Sequence, residues 1–484
     1  MKYIQQITTM FVLLGLALLV GCTDSAPSDL PKAGLGGVAI TKYVAVGNSL
    51  TAGYQSAGLF KSAQKYSFPN LIAQQLTAAG ANLGTFEQPY WPDPGNPDPA
   101  TGKAARYVIV SLADPDNPVI GPAGETVTAA APENVTLPRP FDNLGLPGAP
   151  LAGFTDTVGT YQGGFGPAII RGANGLPKSQ YKSTIALQPQ LVTFWLGAND
   201  VLGYATSGGV SPSAPTDVTT IFTPLYTQAI GLLKASIPNV KIVVATIPDV
   251  RSIPFFTTLG PKIGATIAKI PGAVLVYQTG AGGIATTSFT NPATDPLICL
   301  TGSPYASLLG TKTGKYWWDH GYPPSAVGID TTQPFGFSAT NPWPNSLTLD
   351  AAEQTIAGNA VTAFNASIKS IAAANGAAIV DVYAVFNDIK ANGYEAGGVE
   401  YTTDYVTGGI FSLDGVHPTD RGYGMIANWF IKAINEKFGT SITGVDLSKL
   451  PALNTPLAKY MANSKTIPVV APHNWDSFLN LWQQ

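Results

Sequence analysis

The segment Lys42-Tyr-Val-Ala-Val-Gly-Asn-Ser-Leu-Thr-Ala-Gly53 joins an apolar run to a serine that lies between two glycines. Consecutive apolar residues that end at Gly47 predict a short buried β-strand. Ser49 follows at the end of this strand, so its hydroxyl and nearby backbone N–H groups could face one point beyond the sheet, where an oxyanion develops. Serine-containing turns are common, and this segment alone is weak evidence for a nucleophile.

Outward from this segment, apolar runs of strand length alternate with segments of helical periodicity. The longest helical segment, 349–374, carries an apolar stripe that includes Val361 and Ile371, and it stops at Asn375-Gly376. Buried strands that alternate with helices predict a parallel sheet covered on both faces. Active sites of such sheets lie beyond the carboxyl ends of the strands. The predicted strands are 42–47, 191–196, 241–246 and 378–382, and the predicted helices are 68–79, 218–236, 349–374 and 422–438.

A second polar segment, Asp414-Gly-Val-His-Pro418, contains a candidate base and its partner. A serine hydroxyl is a poor nucleophile without a general base, and that base needs a group that fixes its tautomer. Asp414 and His417 lie three residues apart on a turn that Gly415 allows, so the carboxylate can reach the imidazole Nδ1.

The chain has three histidines, and the other two are weaker candidates for the base. His320 lies beside Asp319 in a Pro/Gly-rich region and is a conceivable rival, while His473 lies near the C-terminus. Both are interpreted as loop or surface residues. The absence of a His-x-x-x-His pair from the sequence argues against a zinc site.

Two further segments contain possible oxyanion donors. Asn199, in Leu196-Gly-Ala-Asn-Asp200, follows a predicted strand, and its amide N–H could bind an oxyanion. Gly148, in Asp142-Asn-Leu-Gly-Leu-Pro-Gly-Ala149, could donate its backbone N–H. Each segment by itself also suits an ordinary turn.

Taken together and in this order, the four segments resemble the SGNH (GDSL-type) hydrolase superfamily. The resemblance implies a flavodoxin-like three-layer α/β/α sandwich and a serine esterase or lipase that needs no metal or organic cofactor. It implies a catalytic triad of Ser49, Asp414 and His417, and an oxyanion hole formed by Ser49, Gly148 and Asn199. Asn48 stands where the family usually has Asp, which would change the local hydrogen bonding.

The N-terminus has the features of a lipoprotein signal. An apolar run from Met10 to Val20 is too short to span a bilayer. Gly21-Cys22 follows it, so that Leu19-Val-Gly-Cys22 forms a lipobox-like sequence. We expect lipidation of Cys22 and a membrane-anchored lipoprotein of the cell envelope. Thr23, in the position after the cysteine, suits the outer membrane, on either the periplasmic or the surface face. The second cysteine, Cys299, would then have no disulfide partner.

The predicted organisation is a signal peptide, a lipidated tether, one hydrolase domain with two long loop insertions, and a tail. Turn-rich composition marks the insertions, which we expect to shape the substrate site. The corresponding ranges are 1–21, 22–37, 38–440 and 441–484, with insertions at about 85–140 and 255–345.

Composition and motif spacing weigh against other classes. The 26 basic and 29 acidic residues give a net charge of −3, and no basic cluster indicates a nucleic-acid partner. An α/β-hydrolase would need glycine where Thr51 stands, and the run from Gly310 to Lys315 is one residue short of a P-loop.

A non-catalytic surface lipoprotein that binds glycans or scaffolds partners remains an alternative. Its platform would be the tryptophans of the insertions, which would otherwise pack those insertions onto the core. Among enzymes, a polysaccharide O-acetyl esterase remains an alternative to an esterase of short-chain esters or acyl lipids. The candidate platform residues are Trp91, Trp317, Trp318 and Trp343.

Overall fold

The computed structural model describes residues 33–111, 119–210 and 214–452, with a five-stranded parallel sheet at their centre. In space the strands run β2-β1-β3-β4-β5. This is the flavodoxin-like doubly wound order, and it confirms the predicted fold class. The strands are β1 (Tyr43–Gly47), β2 (Asn143–Gly145), β3 (Leu191–Trp195), β4 (Lys241–Ala245) and β5 (Ala378–Val380).

Helices cover both faces of the sheet. On one face α2 packs against α8, and on the other α6 packs against α4 and α5. This burial on both sides explains why β1 and β3 are apolar along almost their whole length. The principal helices are α1 (Ser49–Ala52), α2 (Phe68–Ala78), α3 (Gln180–Leu187), α4 (Asn199–Thr206), α5 (Thr223–Ser236), α6 (Ala351–Asn375), α7 (Val382–Asn392) and α8 (Asp420–Phe438).

The ends of α6 follow local side-chain chemistry. Asp350 accepts the backbone N–H of Glu353, and the Glu353 carboxylate accepts the backbone N–H of Asp350, which forms a capping box. At the other end Gly376 takes the left-handed conformation, with φ of 66°. The helix therefore stops at the Asn375-Gly376 pair from which its end was predicted.

The first insertion is held by a buried arginine. Arg171 is 1% exposed, and its guanidinium donates to the carbonyl oxygens of Val135, Leu137 and Arg139. The same guanidinium stacks on the ring of Phe141. Polar contacts therefore fix this turn-rich region to the domain.

The second insertion has a small hydrophobic core of its own, beyond the loops that its composition predicted. Leu259 and Ile263, on the helix Leu259–Ile267, pack with Tyr277 and Trp343 away from the main core. Trp343 is completely buried there. We call residues 255–345 the second lobe.

Residues assigned from sequence to the tether and to the tail contact the domain. Gly34 and Ser441 exchange two backbone hydrogen bonds, of 3.3 and 2.9 Å. Leu447 and Leu450 are buried in the main core beside α8. Cys22 and His473 lie outside the described residues. Among the helices of the described ranges, none has the length and apolarity needed to cross a membrane.

The other elements of the described ranges are short. Four antiparallel strand pairs are Tyr107–Ser111 with Val119–Pro122, Leu275–Gln278 with Ile284–Thr287, Leu297–Ile298 with Thr348–Leu349, and Tyr394–Ala396 with Val399–Tyr401. Short α-helices are Lys61–Gln64, Gly166–Ile169, Pro254–Thr257, Ser303–Ala306 and Lys315–Asp319, and a π-helical turn, Val218–Phe222, precedes α5. Turns of 3₁₀ helix are Leu151–Phe154, Gly163–Phe165, Gly172–Asn174, Val250–Ser252, Leu300–Gly302, Pro324–Val327, Asn345–Leu347 and Leu447–Lys449.

Candidate active site

Three of the predicted site residues are hydrogen-bonded in series beyond the carboxyl end of β1. Ser49 Oγ lies 2.9 Å from His417 Nε2, and His417 Nδ1 lies 3.0 Å from Asp414 Oδ2. All three are buried, with Ser49 3% exposed and Asp414 completely covered. This arrangement is able to move a proton from the serine hydroxyl to the imidazole while the carboxylate fixes the imidazole tautomer.

The turn between β1 and α1 positions the serine. Ser49 is the first residue of α1, and Asn48 caps that helix by accepting the backbone N–H of Leu50 at 3.1 Å. A Cβ atom at Gly47 would collide with Thr51, so this tight turn requires glycine at position 47. The side-chain oxygen of Asn48, the residue that departs from the resembled motif, is therefore used as a helix cap.

A compact turn positions the histidine against its carboxylate. Asp414 Oδ1 accepts the backbone N–H groups of Val416 at 2.9 Å and His417 at 2.8 Å. Gly415 has a φ of 72° and passes close to the backbone of Phe255, so the turn uses the conformational freedom of glycine. Burial opposes ionisation of Asp414, but the adjacent His417 and these hydrogen bonds hold the pKa of Asp414 below its usual value.

Sequence reasoning missed a loop that supports the carboxylate. The backbone N–H of Ala57 donates to Asp414 Oδ2 at 2.8 Å, and that of Ser56 donates to Ser412 Oγ at 2.8 Å. The Ser412 hydroxyl in turn donates to Asp414 Oδ1 at 3.3 Å. Ser56 and Ala57 have φ of 50° and 65°, which is rare for residues other than glycine. No local sequence motif marks these positions.

Tyr54 packs on the imidazole and belongs to the same support. Its ring centroid lies 4.7 Å from that of His417, and its hydroxyl donates to the carbonyl of Ala57 at 2.7 Å. The hydroxyl of Tyr423, on α8, donates to the carbonyl of Tyr54 at 2.6 Å. The imidazole of His417 therefore contacts the Tyr54 ring as well as the Asp414 carboxylate at its Nδ1 atom.

Asn199 and Asp200 both bind the loop that contains Gly148. Asn199 Nδ2 donates to the carbonyl oxygen of Ala149 at 3.0 Å, and Asp200 Oδ2 accepts the backbone N–H of Leu151 at 2.8 Å. Gly148 has a φ of 83°. Burial raises the pKa of Asp200 to about 6, although hydrogen bonds to the carboxylate counteract part of that effect.

A mainly apolar cavity lies above Ser49. Ser49, Asn199 and His417 line it together, and the volume open to a water-sized sphere is about 80 Å³. Gly148 does not line this cavity. Its neighbour Ala149 is hydrogen-bonded to Asn199, which does line the cavity. Two residues of the hydrogen-bonded series, Ser49 and His417, therefore border an apolar cavity.

The rival histidine is not bonded to its neighbouring carboxylate. His320 Nδ1 lies 2.7 Å from the carbonyl oxygen of Tyr316, and the imidazole stacks on the Tyr316 ring. Asp319 instead accepts hydrogen bonds from Lys315 and Tyr305. Among the residues that the structure describes, no group of three or more His, Cys, Asp or Glu side chains is placed to hold a metal ion.

The tryptophans proposed as a glycan platform do not form one surface. Trp91 and Trp343 are 2% and 0% exposed, so they pack the insertions against the two cores. Trp317 is half-buried in the second lobe. Trp318 alone of these four residues is well exposed, at 62%.

The sheet order and the position of Ser49 define a flavodoxin-like α/β protein with a serine-centred site. Residues 43–430 match the model of the GDSL-like lipase/acylhydrolase family. Among curated proteins, none matches the chain.

Two solved structures show distant similarity to the chain. A putative GDSL-like lipase from Parabacteroides merdae is 10% identical, with a TM-score of 0.32, and the match covers 83% of this chain and 98% of that one. An acetyl xylan esterase variant from Geobacillus stearothermophilus is 12% identical, also with a TM-score of 0.32, covering 86% of this chain and all of that one.

Because the family match spans most of its length, the chain belongs to the GDSL-like lipase/acylhydrolase family. It is accordingly a hydrolase that acts on ester bonds, as the sequence resemblance implied. Membership of this family weighs against the non-catalytic alternative.

Proposed function

We propose that the protein is a serine esterase that hydrolyses carboxylic esters through an acyl-enzyme intermediate on Ser49. The observation that carries this proposal is the hydrogen-bonded series Ser49–His417–Asp414 at the base of a cavity. A nucleophile, a base within hydrogen-bond reach and a group that orients the base are the parts that acyl transfer requires.

In the first step Ser49 Oγ attacks the ester carbonyl carbon while His417 Nε2 takes the hydroxyl proton. The resulting imidazolium is stabilised by Asp414, whose lowered pKa keeps the carboxylate ionised. His417 then gives the proton to the departing alcohol. In the second step His417 activates a water molecule, which releases the acid and restores the Ser49 hydroxyl.

The oxyanion of each tetrahedral intermediate is assigned three donors. These are the backbone N–H groups of Ser49 and Gly148 and the side-chain amide of Asn199. One amide hydrogen of Asn199 bonds the Ala149 carbonyl, which leaves the second available for the oxyanion. The contact with Ala149 also links Asn199 to the segment of Gly148.

A fluorophosphonate probe tests the proposed nucleophile. We expect the full chain, solubilised in detergent, to be labelled at Ser49, as located by mass spectrometry of the labelled peptide. Ser49→Ala should abolish labelling, and His417→Ala should slow it strongly because the base is lost. Ser370→Ala, at an exposed serine on α6, is the matched serine control and should be labelled like wild type. An unlabelled Ser49 in folded protein would contradict the proposal.

We also propose that the enzyme is a lipoprotein of the cell envelope, as its N-terminal sequence predicts. Cys22, outside the described residues, would carry the lipid and anchor the chain in a membrane, with the outer membrane expected from Thr23. Cells fed labelled palmitate should incorporate it into the wild-type chain but not into Cys22→Ser, whereas Cys299→Ser should behave like wild type. Equal incorporation in all three would rule out the anchor.

A further inference from the structure

The cavity above Ser49 is lined mostly by apolar side chains. Apart from two tryptophans, its polar side chains are those of Asn48, Ser49, Asn199 and His417. The remaining wall comes from the end of β3, from α4, from the segment after β4, from α7, from the turn that contains His417 and from α8. It includes Val250, Ile253, Phe386, Phe411, Ile426 and Trp429.

We propose that this cavity binds the acyl chain of the ester, and that the preferred substrates have an unbranched aliphatic acyl group of short to medium length. This inference rests on the proposed esterase function of Ser49 and adds a substrate class to it. An acetyl group would leave most of the apolar wall uncovered, because its sugar, the alcohol half of the ester, would lie outside the cavity. A longer alkyl chain has no polar groups that need partners, and it gains from burial against this wall.

The shape of the cavity favours the acyl half of the ester over the alcohol half. The rim residues Leu50, Asn199, Pro248 and Trp429 are partly exposed, whereas the other residues that line the cavity are buried. The acyl group stays bonded to Ser49 after the first step, while the alcohol must leave and water must enter. A cavity closed at its inner end suits the group that stays.

The volume limits the chain length. The cavity is small: the space open to the centre of a water-sized sphere is about 80 Å³. A chain that fits the cavity gains from each buried methylene, whereas a longer chain has to leave part of its length outside. We expect activity to rise from acetyl to about hexanoyl esters and to fall again for palmitoyl esters.

The test compares kcat/KM for p-nitrophenyl acetate, hexanoate and palmitate, using the full chain in detergent. Burial of each added methylene should raise kcat/KM by up to about fourfold until the cavity is full. Ile426→Trp should fill the cavity and lower the hexanoate-to-acetate ratio by at least tenfold. Phe386→Ala should enlarge it and move the optimum to longer chains. Ile356→Trp, on the exposed face of α6, is the matched control and should leave the ratio unchanged.

The outcomes separate this inference from the proposed function. A ratio that falls in Ile426→Trp, or an optimum that lengthens in Phe386→Ala, supports the acyl pocket even if the other variant fails to fold. Acetate hydrolysis that exceeds hexanoate hydrolysis in wild type, or ratios that no folded variant changes, overturns it and leaves the esterase standing. If no ester is hydrolysed the acyl pocket is also overturned, and labelling of Ser49 then decides whether the proposed function fails too.

Discussion

Two different kinds of structure position the two sides of the candidate active site. On the side of Ser49, regular structure sets the position, because only Asn48 separates the end of β1 from the serine, which begins α1. On the side of Asp414 and His417, an irregular turn is fixed by side-chain and backbone hydrogen bonds that come from Ser56, Ala57 and Ser412. The sheet thus positions the proposed nucleophile, and a polar network positions the proposed base.

This difference indicates how each side should respond to substitution. A residue held by a sheet and a helix can lose its side chain without loss of position, since backbone hydrogen bonds hold the turn. A residue held by a buried polar network cannot lose its side chain in this way, because each lost hydrogen-bond partner leaves a buried polar group unsatisfied. We therefore expect substitution of Ser49 to lower activity without lowering stability. Substitution of Asp414 is expected to lower both.

The largest expected effect contrasts Asp414→Asn with Ser49→Ala. Asp414→Asn should lower kcat by about 10⁴-fold, because the imidazole loses the acceptor that fixes its tautomer. It should also lower Tm, because the amide places a donor opposite backbone N–H groups. Ser49→Ala should lose activity at least as severely with an unchanged Tm. Ester hydrolysis and thermal unfolding of both variants measure this, and equal Tm changes would contradict the contrast.

The next prediction concerns Asp200, beside Asn199 on the side of regular structure. Its folded-state pKa of about 6 is raised by burial, so the neutral carboxyl stabilises the fold at low pH. That stabilisation is complete below about pH 4, the unfolded value, and is lost as pH rises through 6. Between pH 4 and 7 the stability difference between wild type and Asp200→Asn should change by about 2–3 kcal/mol.

Urea unfolding at pH 4 and pH 7 tests the Asp200 prediction. Asp388→Asn, a surface change on α7, is the control for the substitution itself. If the stability difference between wild type and Asp200→Asn does not vary with pH, burial does not raise the pKa of the Asp200 carboxyl.

A smaller effect is expected when the polar network loses one hydroxyl. Ser412→Ala leaves the Ser56 N–H without its acceptor and removes one donor from Asp414. The cost to stability should be about 1–3 kcal/mol, with a modest fall in kcat and a smaller change in KM. Ser412→Thr, which restores the hydroxyl, should recover part of kcat. Unchanged activity and stability in Ser412→Ala would mean that the network does not position the base.

The smallest effect is expected at Ala57, whose left-handed backbone costs about 1 kcal/mol relative to glycine. Ala57→Gly keeps the N–H that donates to Asp414, so kcat should not change. Stability should rise by less than about 1 kcal/mol, because the glycine also gains freedom in the unfolded chain. Chemical denaturation measures the change, and a clear loss of stability would show that Ala57 is not strained.

The central sheet and its order were accessible from sequence because buried strands and amphipathic helices leave strong local patterns. The apolar runs gave β1, β3 and β4 to within a residue at either end. The run at 378–382 was predicted too long, since Asp381 caps α7 and ends β5 at Val380. The short strand β2 has only three residues, too few for a pattern.

Much less of the support around the site was accessible. Contacts of Ser56 and Ala57 with Ser412 and Asp414 join positions more than 350 residues apart, and nothing in the local sequence records them. The core of the second lobe was also missed, because glycine and proline between its apolar residues hide any regular spacing. Short motifs therefore pointed to the residues of the hydrogen-bonded series Ser49–His417–Asp414, but not to the residues that hold them in place.

The long helix α8 links the cavity to the place where the N-terminal segment joins the domain. Its first half lines the cavity with Gly422, Ile426 and Trp429, and its last residue is followed closely by the Gly34–Ser441 pair. At 1.5 Å per residue, Phe438 lies about 24 Å along the helix from Gly422 and about 14 Å from Trp429. With lipid on Cys22, as proposed, the membrane anchor and the cavity would therefore belong to different ends of one helix.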